Sequence, residues 1–184
     1  MTKKEQLKIN QAISDLNSNS FDQIKQAISS IKSFGNESVL EPIFDKILEE
    51  NIQSEIRKEL IELLNSLKLE SVQNEIIRLC SLKKYEVLKK EIFSTIWNSN
   101  QDYGKHLLFF VKNAIDEDLE ITIECLTIIE NMQDSINEKD LLETQILIRQ
   151  FFDLNQNGNI QKKQILSIIL ENLNKLDSNI DDLR

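Results

Sequence analysis

Punctuation is nearly missing from this chain: 184 residues contain one proline and three glycines. Strand-rich folds turn often, at Gly, Pro and Asn-Gly or Asp-Gly pairs, and Asn157-Gly158 is the one such pair here. Apolar residues recur instead at three and four positions, as in Ile56, Leu60, Leu63, Leu64 and Leu67, which is the period of one face of an α-helix. The pattern predicts ten helices, over residues 3–16, 21–33, 38–50, 54–67, 71–81, 85–98, 102–115, 118–132, 138–153 and 160–175. Ser20, Ser54, Ser71, Asp118 and Asn137 stand at or near helix starts, where a side-chain oxygen can accept from free first-turn amides. Gly35 is placed for a left-handed stop after the second helix. Short connections between helices of this length impose antiparallel hairpins.

The hairpins repeat. Leu60, Ile92 and Cys125 stand 32 and 33 residues apart, and Ile61, Phe93 and Leu126, then Leu64, Ile96 and Ile129, keep the same spacing in the second helix of each pair. A period near 33 residues is the mark of a stacked helical array. The expected organisation is one domain over 1–184: a first pair at 1–34, three pairs over 36–132, an atypical end pair at 138–175 and a tail at 176–184. A chain of this length buries about 70% of the surface its unfolded form exposes, so no staple is needed.

The segment NESVLEPIFDKILEENIQSEIRKELIELLNSL, residues 36–67, resembles a HEAT repeat. Pro42 stands inside its first helix, where HEAT repeats often carry a kinking proline, and Ile56-Arg57 looks like the Val-Arg pair that opens the family's second helix. Residues 71–98 and 102–132 follow the apolar pattern without the proline, Thr122 stands where the arginine is expected, and alanine is scarcer than the family's habit. The resemblance implies an all-α, right-handed α-α superhelix of about five antiparallel pairs, with second helices on the concave side and a protein partner held there. The 34-residue TPR alternative is less similar, since of its signature residues only Tyr103-Gly104 is found.

In the aligned pairs Glu59, Glu91 and Glu124 share one place, just before the core position. Stacked helices would set these carboxylates roughly 10 Å apart in a row. Such a row suits a basic peptide or an arginine-bearing helix, with Asp116, Glu117, Asp118 and Glu120 widening the acidic surface and Trp97 serving as an interface anchor. The plainer alternative is a solvated face whose glutamates pair with Lys58 and Lys90. Charge is unevenly spread: residues 1–100 carry 15 acidic and 14 basic side chains, residues 101–184 carry 16 and 8. The net charge of -9 disfavours nucleic acid as a partner.

DLNQNGNIQKKQ, residues 153–164, resembles an EF-hand calcium loop, with Asp153, Asn155 and Asn157 at its first, third and fifth places. Gln164 replaces the bidentate glutamate of the twelfth place and Asp153 is the sole carboxylate, so a polar interhelical turn is the expectation. Cys80 and Cys125 lie in apolar helical runs, form no C-x-x-C, and with one histidine, His106, complete no zinc site. No catalytic motif surrounds His106, and no cofactor is expected. The charged start MTKKEQLKINQAISDL lacks the apolar stretch of a signal peptide, no uncharged apolar run approaches ~20 residues, and free cysteines suit a reducing compartment, which together predict a cytoplasmic chain. The expected function is a protein-binding scaffold. Three alternatives compete with it: a HEAT-like DNA-repair enzyme, which needs a basic concave face; a weak calcium module; and a helical subunit of a larger assembly.

Overall fold

Several helix starts in this chain are held by small polar residues whose side chains accept from free first-turn amides. Thr2 opens α1 (Lys3–Leu16) with a reciprocal capping box: its hydroxyl accepts from Glu5 N, and Glu5 accepts from Thr2 N at 2.7 Å. Asp118 caps α8 (Leu119–Glu130) through Ile121 N, and Asn137 caps α9 (Glu138–Leu154) through Asp140 N. Ser20 stands at the start of α2 (Phe21–Phe34) without a side-chain cap bond. Ser54 and Ser71 lie inside the first turns of α4 (Ser54–Ser66) and α5 (Glu70–Cys80). The computed structural model describes residues 2–132, 136–156 and 158–181. Among them are ten α-helices and no strand, the remaining four being α3 (Leu40–Ile47), α6 (Lys89–Asn98), α7 (Leu107–Asp116) and α10 (Ile160–Asp181).

Three starts differ from expectation. Tight 3-10 turns at Glu37–Val39, Lys83–Leu88 and Gly104–His106 lead into α3, α6 and α7, so these α-helices begin later than their apolar pattern does. Pro42 consequently falls in the first turn of α3, where its missing N–H would have had no partner within that α-helix. Helix α3 stops at Ile47, three residues early, where the Arg57 guanidinium donates to the Ile47 carbonyl at 2.7 Å. Gly35 is not left-handed but extended (φ -65°, ψ 147°). It is needed for closeness: an added Cβ would lie 2.6 Å from the Ile31 carbonyl oxygen. Among the described residues the left-handed one is Asn100, φ 52°, just beyond α6.

The chain forms two compact units, residues 1–99 and 100–184. In the first, α1 pairs with α2 and α3 with α4. Helices α1, α3 and α5 lie side by side in one row and α2, α4 and α6 in another, with α6 packed on the turn Lys83–Leu88 that follows α5. In the second, α7 pairs with α8 and α9 with α10, while α7 lies against α9 and α8 against α10. Each unit thus has two layers, one of first helices and one of second helices.

The aligned positions Leu60, Ile92 and Cys125 are all fully buried, as are Leu64, Ile96 and Ile129 to within 2%. Full burial of an aliphatic side chain such as Leu60 or Ile92 stabilises the fold by about 1.5–3 kcal/mol, so the matched positions are part of the core of each unit. Within the Phe109-Phe110-Val111 run, Phe110 and Val111 face the core and Phe109 is half-buried against the Phe110 ring. Both cysteines are buried free thiols, and burial pushes Cys80 up to about 12, which keeps it a neutral apolar filler. Among the described residues no helix is long and apolar enough to cross a membrane.

Candidate functional site

The row of second helices in the first unit carries the residues singled out by the repeat. A cation on each helix reaches a carboxylate on the next: Lys25 of α2 pairs with Glu59 of α4 at 3.0 Å and also with Glu55, and Arg57 of α4 pairs with Glu91 of α6. Lys25 and Arg57 are 32 residues apart, and so are Glu59 and Glu91. The glutamates therefore pair with the preceding second helix, whereas Lys58 pairs within its own helix to Glu62 at 3.8 Å. All four paired groups keep about a third of their surface exposed, so water screens each pair. Glu55 and Glu59 together hold the Lys25 ammonium above the ordinary lysine range.

Arg57 also does a second task, at the end of α3, and the same task recurs elsewhere with different chemistry. A helix C-terminus leaves carbonyls without amide partners, and donors there are favoured both by hydrogen bonding and by the helix dipole. Thr122, which replaces the expected arginine, is fully buried and donates to the Ala114 carbonyl near the end of α7 at 3.0 Å. Lys162 of α10 donates to the Ile115 carbonyl at 2.6 Å and to that of Glu117. Burial holds Lys162 below the ordinary lysine range, against the pull of Asp116, Asp118 and Glu117. Lys46, 4% exposed, reaches the Ser18 carbonyl just past α1 and the Glu49 carboxylate at 2.9 Å.

Of the other predicted residues, Glu120 is exposed and Glu124 half-buried on α8 of the second unit, and Trp97 is half-buried in the last turn of α6 beside the fully buried Phe93. Glu59 and Glu91 are on neighbouring helices, and a shallow groove of about 300 Å³ lined by Ile28, Lys32, Glu59, Glu62 and Leu63 runs between α2 and α4. No protein family matches the chain, and no curated protein matches it.

The calcium-like segment is short. Asp153 lies in the last turn of α9 and Gln164 in α10, so the segment between the two helices is only residues 155–159, of which Asn157 falls outside the described residues. Asp153 is exposed, and the Lys163 ammonium donates to the Gln156 carbonyl at 2.6 Å, setting a positive charge of the chain's own beside the turn. Among the described residues no three His, Cys, Asp or Glu side chains are grouped for a metal ion. His106 is half-buried in the turn before α7, its ring tilted against Tyr103 at 6.1 Å between centroids.

Residue patterning missed a surface knot built over buried rings. Asp45 of α3 accepts from the Tyr85 hydroxyl at 2.7 Å and pairs with Lys84, while the Tyr85 ring meets Phe44 edge-on at 5.1 Å. No local signal links these residues, because they are 40 positions apart in sequence.

Proposed function

We propose that this chain is a protein-binding helical scaffold of HEAT-like pairs, which takes its partner on the face formed by the second helices. The observation that carries the reading is the layering: α2, α4 and α6 lie consecutively in one row, joined by the cation–carboxylate pairs that repeat every 32 residues. Arrays built this way bury a continuous core between layers and leave a long surface of repeated side chains for a ligand, which is how stacked repeats acquire binding faces. The groove beside Glu59 and Glu62 supplies an apolar floor, Ile28 and Leu63, between charged walls. A partner with a basic surface is the complement to Glu59 and Glu91 of the first unit, with Trp97 as an apolar anchor, and Glu120 and Glu124 offer the same charge on the second unit.

Since Glu59 and Glu91 also pair with Lys25 and Arg57, neutralisation tests the face more cleanly than charge reversal does. A Glu59→Gln/Glu91→Gln/Glu124→Gln variant should keep its helical circular dichroism and lose at least about tenfold of the protein that wild type retains in quantitative affinity purification, the loss expected of several weakened charge contacts. Undiminished retention by a folded variant would remove the carboxylate row from the reading.

A further inference from the structure

A cleft of about 490 Å³ opens where the connections after α2 and α4 meet the start of α1. Its apolar lining comprises Ile9 and Leu67, both buried, the half-buried Phe34, and Leu69, which stands at the rim 51% exposed. Lys32 and Lys68 line it as well; both are exposed, and neither has an ion-pair or hydrogen-bond partner among the described residues. Lys25, Lys46, Arg57, Lys58, Arg78 and Lys84 of the same unit each hold a carboxylate, so what distinguishes Lys32 and Lys68 is that they stand without an ion pair at the edge of an apolar cleft. Glu5 is the carboxylate in the lining, and it is committed to the Thr2 amide at 2.7 Å. Nearby Glu37 accepts from the Ser71 hydroxyl at 2.8 Å, and Lys8 adds positive charge over the Phe34 ring at 5.5 Å.

We propose that this cleft is a second binding site, which takes an acidic peptide segment bearing aliphatic side chains. The aliphatic groups would cover Phe34, Leu67 and Leu69, and the carboxylates would meet Lys32 and Lys68. The volume lies in the range of clefts that enclose small ligands or a few residues of a peptide. Charge complementarity selects the sign: residues 1–100 are close to neutral, with 15 acidic and 14 basic side chains, and the cleft presents two ammonium groups without ion pairs around an apolar floor. The apolar floor of Phe34, Leu67 and Leu69 gives aliphatic side chains a place that a phosphate backbone cannot use, which favours a short peptide over nucleic acid.

The test is fluorescence anisotropy with a fluorescein-labelled hexapeptide of alternating aspartate and leucine, titrated with the full chain. Saturable binding is expected, weakened severalfold when salt rises from about 0.05 M to about 0.5 M. Lys32→Glu/Lys68→Glu should weaken it by about tenfold or more, and Leu69→Ser severalfold. Lys32→Gln/Lys68→Gln, which introduces no new charge, should weaken it about threefold or more, and it carries the test if the reversal variant loses helical signal. The proposal is overturned by absent saturation with wild type, by unchanged binding to the folded lysine variants, or by equal binding of a peptide with asparagine replacing aspartate. Tighter binding of a single-stranded oligonucleotide or an anionic vesicle at the same lysines would overturn it too.

Discussion

Asp45 has the most instructive environment of any single residue in the chain. Burial alone would raise its pKa, but bonds from Lys84 and the Tyr85 hydroxyl outweigh that and hold it below the ordinary aspartate range. A carboxyl depressed in the fold contributes stability that is fully present above its unfolded pKa and disappears as pH falls through the folded value. Urea unfolding of wild type and Asp45→Asn between neutral pH and pH ~3 should therefore show a shallower pH dependence in the variant. The difference at neutral pH should be about 0.5–1.5 kcal/mol, towards the lower end because Asp45 is close to half exposed and screened. Identical slopes would remove Asp45 from the account of acid stability. Thr122 teaches the complementary lesson: its hydroxyl meets a carbonyl at the end of a first helix, as Arg57 does, so a departure from the expected residue preserved the physical task.

At the scale of elements, helices and their approximate bounds were legible because apolar periodicity and polar starts are local properties. Ends were less so. The stop of α3 depends on Arg57 arriving from the next helix, and the extended Gly35 depends on its close approach to Ile31, neither of which has a sequence signal. The placement of Pro42 in a first turn makes a definite prediction. A kinking proline would straighten and stabilise its helix when replaced, whereas Pro42→Ala should change stability by no more than about 1 kcal/mol, because no interior hydrogen bond is regained. Thermal melting of the two proteins decides between them. The 153–164 segment belongs to this scale too: spacing put oxygen-bearing side chains at loop-like intervals, but α9 and α10 run into both ends and Lys163 turns its ammonium onto the connection.

For the whole molecule, two compact units each hold a core of their own, with Leu60, Ile92 and Phe93 buried in the first and Phe110, Cys125 and Ile148 in the second. Residues 1–99 expressed alone should accordingly fold, giving helical circular dichroism and a sigmoidal melt; a non-cooperative melt would show that this unit needs the rest of the chain. What the amino-acid order determined unaided is helix and the buried register, since each follows from spacing along one chain and the hydrophobic effect acts on spacing directly; α5 and α6, expected as a hairpin, meet instead through the turn Lys83–Leu88. The candidate acidic residues were also legible, as a shared place in successive second helices. Tertiary structure decided what those charges touch: Lys25 and Arg57 reach Glu59 and Glu91 only because α2, α4 and α6 lie side by side, and Lys32 and Lys68 gather at one cleft because two connections come together there. Electrostatic partnership depends on distance through space, and residues 30 to 40 positions apart acquire that distance only when the layers pack.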